Sequence, residues 1–487
     1  MVDTGPLERI EDHSGDPSVH AFLQRVSSHL AQVGQGLPRS LFNRSSETVF
    51  KNDIYSIRTL VLPDKQVAKD YVAAYFDHGN ATCRFLLAND IYQLLNLLYE
   101  NNPAILQNHA QMAMILLLIG TGCVWSASWR NEPVAPSRTQ ALPFLRAADA
   151  HLQHLQGIFP PSLNVMQAQL LKCQCELVLG RFNSAWVSLG IVIRLAQMVN
   201  IQKEQESQDP LETYHRRFLF WSIFIIDRYL AVILGRPLAI HEGATSVKLS
   251  VDLDPVAQAA IGEEKKLLIG TVAHGGLVRI IGNTIESLYS APGHGIAPLE
   301  QKVTRLEMEL RDWVDRTPKF FHPLGERADG FEEDFYEVSW ILRRQQRTVH
   351  ATFYFANMLL YRGYLLRDFL NQAPSASQSG PISDPIAKCV ENARMMIALA
   401  KEFGADKYNG AFWITSHFVY CAISILMVYI KLFQDAEDRS ATEETIEEAM
   451  GFHRKLDSSP NIDAQKLLEV SIYPLRCRRP PSPNLEG

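Results

Sequence analysis

Four small groups of residues have the types and spacing to suggest chemistry. Cys173-Gln174-Cys175, together with His151 and His154, supplies the side chains that hold zinc. On a helix, however, residues two apart point to nearly opposite faces, whereas residues three apart share one. The histidines therefore make a better pair than the cysteines, and the bland reading, core thiols beside a polar helix face, is preferred. His274-Gly275-Gly276 resembles an oxyanion loop, in which backbone N–H groups hold a developing negative charge. That role requires a serine on a strand-to-helix elbow, and no GxSxG occurs in the chain. A helix break is expected at these glycines instead. Gly120-Thr121-Gly122 lacks the third glycine of a dinucleotide fingerprint, no GxxxxGK[ST] loop is present, and His241-Glu242 lacks the second histidine of a zinc-protease helix. No catalytic, cofactor-binding or metal-binding residues are assigned, and the chain is not expected to be an enzyme.

Asp227 is a different case. Phe220, Phe224, Asp227, Ala231 and Leu234 recur at helical spacing, which sets a carboxylate on an apolar face. A buried charge is costly unless it is paired, so a cation is expected beside it, with Arg236, Arg228 and Arg194 as candidates. A structural ion pair or capping bond is the favoured role, and a grip on a ligand is the alternative.

Bulk properties narrow the classes of function. The 487 residues carry a net charge of −6, with 47% hydrophobic and 21% charged residues. This is an ordinary globular composition with a sizeable core. No basic stripe of the kind that displaces counterions from DNA phosphates dominates the chain. Seven cysteines in apolar stretches, an odd number without framework spacing, do not suggest a disulfide scaffold. Met1 to Pro17 is polar and acidic and lacks the apolar core of a signal peptide. The runs Ala113–Ile119 and Phe218–Ile226 are shorter than the roughly 20 residues that span a bilayer, so buried helices and no membrane partner are expected.

The elements that must carry these residues read as helices separated by proline and glycine loops at Asn131–Pro143, Gly157–Pro161, Ala291–Pro298 and Asn371–Pro385. Residues 165–179 and 184–199 form a helical hairpin closed at Leu179-Gly180-Arg181. In its second member Ala185, Leu189, Val192, Ala196 and Val199 make one continuous stripe. Gly180 suits a left-handed closing position because it has no Cβ to clash. From about His215 to Leu234, Leu219, Ile223, Ile226, Leu230 and Ile233 repeat the pattern while Phe218, Phe220, Trp221, Phe224 and Ile225 fill the other faces. Such a helix belongs at the centre of a large fold, stopped by Gly235 and barred from continuing by Pro237. Further helices are expected at 64–77, 84–100, 107–128, 139–156, 262–290, 299–315, 335–371, 385–403, 410–434 and 440–456. The fold class is all-α: a large multi-helix domain of packed hairpins without significant sheet. Residues 1–55 are expected as a mostly disordered leader with one amphipathic turn near 21–33, residues 56–435 as the domain, and 436–487 as a helix followed by a tail. Arg476-Cys477-Arg478-Arg479-Pro480 is a short basic cluster, expected to be a solvated end.

Several blocks resemble the fungal-specific transcription factor domain, the middle homology region of zinc binuclear cluster regulators. Leu62-Pro63-Asp64-Lys65 with Tyr71–His78 (YVAAYFDH) looks like its opening block, and Leu179–Gln197 (LGRFNSAWVSLGIVIRLAQ) resembles its paired-helix signature. Arg216–Ile240 (RRFLFWSIFIIDRYLAVILGRPLAI) is similar almost residue for residue to its most recognisable motif, and weaker echoes at Leu359–Leu365, Lys388–Ala400 and Trp413–Met427 extend the likeness across roughly residues 60–435. The resemblance singles out Arg216, Phe220, Trp221, Asp227, Arg228, Gly235, Arg236 and Pro237 as family-motif residues of structural importance. Arg236 is read as free to pair inward.

The family's six-cysteine cluster is absent from these residues, since none of the seven cysteines shows CxxC spacing. Either the sequence begins downstream of such a cluster or the protein is a cluster-less relative. No cofactor is expected, zinc entering only through a cluster module outside this chain. The resemblance implies a nuclear transcription regulator of a metabolic or secondary-metabolite gene set. Its partners would be the transcription machinery or other regulators, with a small-molecule effector and a homodimer as further options, and DNA reached only indirectly or through a missing module. The alternative is an adaptor of stacked helical hairpins, against which stands the lack of a repeat near 34 residues.

Overall fold

A computed structural model describes residues 16–32, 60–79, 81–130, 132, 134–157, 160–205, 209–289, 298–323, 340–365, 383–405, 414–433 and 436–456. All regular structure among them is helical, as the all-α reading requires. The first half comprises α1 (Val19–Gln32), α2 (Lys65–Ala74), α3 (Ala88–Tyr99), α4 (Pro103–Leu106), α5 (His109–Trp129), α6 (Val134–His154), α7 (Leu163–Val178) and α8 (Phe182–Met198). The second comprises α9 (Pro210–Leu234), α10 (Pro255–Ile261), α11 (Glu264–Leu288), α12 (Leu299–Arg316), α13 (Trp340–Tyr361), α14 (Asp384–Ala405), α15 (Thr415–Leu432) and α16 (Arg439–Leu456). A single π-helical turn, Tyr75–Gly79, ends α2 inside the YVAAYFDH block.

Two layers meet along α9. On one side α5 packs against α2, α6 and α7, and α7 pairs with α8, which in turn rests on α9. On the other, α11 packs on α9, α12 and α13, and α14 and α15 follow in series. The reason is visible in α9 itself. Phe218, Leu219, Phe220, Trp221, Ile223, Phe224, Ile225, Ile226, Tyr229 and Leu230 are all buried, so this helix presents apolar surface in every direction and must be enclosed. The helices α5, α11 and α15 are long and apolar enough to cross a membrane, but most of their residues lie inside the protein core.

Two glycine clusters mark places where helices approach closely. A Cβ on Gly120 would press on Phe144 of α6, and one on Gly122 would collide with the Tyr71 backbone of α2. The Gly120-Thr121-Gly122 run is thus a packing site on α5, where a missing Cβ admits a neighbour's backbone. The helix break expected at His274-Gly275-Gly276 does not occur, because α11 runs unbroken from Glu264 to Leu288. Its glycines instead make room for Leu249 and for the Trp313 ring, whose Nε1–H donates to the Ala273 carbonyl at 2.9 Å.

Other expectations shift in detail. The Asn131–Pro143 stretch does not remain a loop to its end: α6 starts at Val134 and carries Pro143 inside it. Packing against α5 is what offsets the lost backbone bond there. The amphipathic turn near 21–33 is a full helix, with Val19, Phe22 and Val26 buried and the Arg362 guanidinium donating to the Pro17 carbonyl. Helix α16, within the expected 436–487 segment, packs on α14 and α15. The basic cluster 476–480 lies outside the described residues.

Candidate functional site at the end of helix α9

The candidate site is built on the helix that holds the core together. Asp209 accepts a hydrogen bond from the Leu211 N–H at 2.9 Å and Pro210 takes the first position, a start that satisfies one orphan donor and needs none from proline. At the other end Gly235 adopts φ +63°, ψ 38°, the left-handed closure expected from its sequence position. The Asp16 carboxylate packs against Gly235 where a Cβ would stand, so steric contact and backbone conformation both demand glycine here.

Between these ends the polar motif residues turn outward from α9 to hold neighbouring loops. Arg216 donates to the Val199 carbonyl at 2.9 Å and to Gln205 at 2.7 Å. Arg217 donates to the Asp252 carbonyl at 2.6 Å and pairs with Glu204 at 2.5 Å. The Trp221 indole N–H reaches the Lys248 carbonyl at 3.1 Å, while Phe220 packs edge-on against Trp221 with ring centroids 5.3 Å apart.

Asp227 finds the cation it needs in its neighbour. Arg228 donates to the Asp227 carboxylate at 2.8 Å, and the same carboxylate accepts the backbone N–H groups of Ala239 and Ile240, both at 3.2 Å. Arg228 completes the clamp by donating to the Ile240 carbonyl at 2.7 Å, with its guanidinium 3.4 Å above the Phe224 ring. The pair therefore fastens the chain after Pro237 back onto α9. Of the candidate partners for Asp227, Arg228 is the one used, while Arg194 bonds to Gln197 at 2.8 Å. Burial raises the Asp227 carboxyl above its ordinary range, opposed first by Arg228 and then by the two amides. It lowers Arg228 to about 10, opposed by Asp227.

Arg236 does not pair inward toward Asp227. It crosses to α8, donates to the Asn183 side chain at 2.5 Å and lies 4.2 Å from the Trp186 ring centroid. Pro237 is exposed beside it. The turn thus joins a buried clamp to an exposed tryptophan on a different helix. Asn183 and Trp186 were not singled out by the sequence reading. The signal for Trp186 was present, because Trp186, Val187 and Ile191 are apolar yet lie off the core stripe of Ala185, Leu189, Val192 and Ala196.

Deeper in α9, Tyr229 Oη lies 2.5 Å from His274 Nε2 and 2.9 Å from Thr352 Oγ1, linking α9, α11 and α13. Thr352 donates to the Thr348 carbonyl at 2.8 Å, so its oxygen is left to accept from Tyr229, whose own oxygen then accepts from His274. Burial drives His274 down to about 3, so its ring is neutral near pH 7.

The cysteines and histidines weighed above as zinc donors do not come together. Cys173 and Cys175 are buried in α7, the Cys173 thiol 3.3 Å from the Ala185 carbonyl. His151 and His154 join His109 of α5 instead, with His109 Nδ1 2.9 Å from His151 Nδ1 and the His109 and His154 rings stacked at 4.7 Å. Among the described residues no three His, Cys, Asp or Glu side chains converge on a position for a metal ion.

Known proteins give the chain its relatives. It is 23% identical over 404 residues to "Activator of stress genes 1" of Saccharomyces cerevisiae, covering 79% of this chain and 40% of that protein. It is 22% identical over 407 residues to "Activator of stress genes protein 1" of Candida albicans, covering 76% and 40%. A shorter match, 28% over 204 residues, is to "Nitrogen assimilation transcription factor nit-4" of Neurospora crassa, covering 38% of this chain and 19% of that protein. The chain thus spans about two fifths of the length of the first two relatives. No solved structure matches it. The model of the fungal specific transcription factor domain matches residues 72–315, half of the chain, and encompasses α9 and its terminal clamp: the chain belongs to that family.

Proposed function

We propose that this chain is the regulatory body of a nuclear transcription regulator that governs a metabolic or secondary-metabolite gene set. The observation that carries the reading is the family match over residues 72–315, reinforced by relatives whose names are those of transcription factors and activators. In this reading the helical body restrains or relays activation and carries out no catalysis. DNA is reached through a partner or through a zinc-cluster module outside these residues, and zinc enters only with that module.

The test is to fuse the full chain to an unrelated DNA-binding module and measure a reporter in both activation and repression formats. A change in output is expected. Unchanged output in both formats, with a tagged chain confined to the cytosol, would refute the proposal. One feature favours the adaptor as a second reading: α8 carries apolar side chains in solvent, a surface suited to a protein partner. The adaptor would bind partners from the cytosol and leave the reporter untouched.

A further inference from the structure

Helix α1 lies outside the residues that match the family model, 72–315, yet it rests on the family motif. Its leading residues reach two landmarks. The Asp16 carboxylate packs against Gly235 at the end of α9, and the Pro17 carbonyl accepts from Arg362 in the Leu359–Leu365 block. Val19, Phe22, Leu23 and Val26 are buried at spacings i, i+3, i+4 and i+7, with α15 packed alongside, while Gln24 and Ser28 are exposed. This is the pattern by which a separate amphipathic helix lies in a groove. Two features make the contact separable from the body. The start of the helix is satisfied from within, since Asp16 accepts the Ser18 N–H at 2.8 Å and Ser18 Oγ accepts the Ala21 N–H at 3.2 Å. The floor of the groove is polar as well as apolar: the Arg362 guanidinium, 5.5 Å from the Phe22 ring centroid, donates to Tyr289 at 3.0 Å. A guanidinium and a phenol regain hydration when uncovered, so opening this groove is less costly than opening one lined by hydrocarbon alone.

We propose that Asp16–Gln32 is a displaceable strap: α1 is the built-in ligand of a helix-binding groove between Gly235, Arg362 and α15, and its release uncovers that groove and frees the turn that ends α9. A helix of 14 residues is marginal in water by itself, so α1 folds on docking and unfolds on leaving. The ordering of its backbone offsets much of what the four apolar side chains gain, and the net free energy that holds the strap is small. Release takes Asp16 away from Gly235, whose left-handed closure directs the chain toward the Asp227–Arg228 clamp. The state of the strap is thereby transmitted to the buried joint. The inference rests on this groove alone and holds or fails independently of the transcriptional reading.

Native-state hydrogen exchange on the full chain reads the strap directly. The α1 amides should exchange at least about 100-fold faster than those of α9 and α15, because α1 opens without the body. Phe22→Lys removes the buried ring and sets an ammonium beside Arg362. It should abolish the remaining protection of α1, while the chain keeps a cooperative melt and full protection of α15. A labelled synthetic peptide of residues 16–32 should then bind the Phe22→Lys chain. It should bind wild type at least about tenfold more weakly, because the tethered α1 competes at high effective concentration. The same peptide carrying Phe22→Lys should not bind. Exchange of α1 as slow as that of α15, or collapse of the whole fold in Phe22→Lys, would show that α1 is part of the core and overturn the proposal. So would failure of the peptide to bind the opened chain, or a wild-type dimer formed by swapping α1 between copies.

Discussion

Arg228, paired with Asp227, and Arg236, stacked on Trp186 of α8, lie eight residues apart around the end of α9, and they are used in opposite ways. Arg228 is 1% exposed, with hydrogen bonds to a carboxylate and a carbonyl and an aromatic ring beneath it. Arg236 is partly exposed, bonded to one side-chain oxygen and stacked on a ring that itself faces solvent. A buried charge cannot be removed from its partner without a large penalty, so the first pair fixes a shape. The second gains little from its pairing and can exchange it for another contact. The motif therefore couples a rigid joint to an available surface.

Removing the negative member of the buried pair should be the severest way to break this contrast. Asp227→Asn leaves Arg228 uncompensated in the core, and a loss of about 3–5 kcal/mol in denaturant unfolding is expected. Wild-type stability in this variant would show that the clamp is not structural. Acid comes next. Burial holds His274 and His78 at about 3 and His350 at about 4, well below the ordinary 6.5. Between 6.5 and those values the unfolded chain binds protons that the folded chain refuses, so stability is full above 6.5 and falls as pH drops through that window. At pH 5 the loss reaches up to about 2 kcal/mol for each such ring, and His274→Asn should flatten the slope measured between pH 7 and 5.

Smaller effects follow on the exposed side. Gly235→Ala forces a Cβ into a left-handed backbone and against Asp16, and about 1–2 kcal/mol of destabilisation is expected from the backbone conformation. Arg236→Ala should cost no more than about 1 kcal/mol in stability. It should nevertheless alter the Trp186 contribution to fluorescence, read as the difference between Arg236→Ala spectra with and without Trp186→Phe. A stability loss as large as that of Asp227→Asn would erase the distinction between joint and surface.

Much of this was legible in the chain. The left-handed glycines at 180 and 235, with φ of +75° and +63°, follow from position and chemistry alone. So does the enclosed α9, whose apolar residues leave no face for water. The demand of Asp227 for a cation was also readable, because the cost of a buried carboxylate does not depend on the details of the fold. Its supplier was not: a side chain next in sequence ordinarily points elsewhere on a helix, and only the folded-back Ala239–Ile240 segment lets Arg228 and Asp227 share a target. The glycines at 275 and 276 suggest a break when only the sequence is considered, because a missing Cβ has two uses and without the neighbour Trp313 the packing use is invisible. The trio His109, His151 and His154 was hidden for a related reason, since residues on two helices become neighbours only when α5 and α6 pack.

By itself the sequence determined that the chain is helical, where its central helix starts and stops, and which residues had to be inside, because periodicity, capping and desolvation act locally or through composition. Tertiary structure alone decided the partners: that Arg236 leaves the core for Trp186, that Asp16 seals Gly235, and that the outer side of α8 stays open to solvent. Those outcomes depend on which surfaces meet after the helices have formed, and that is set by packing between residues far apart in the chain.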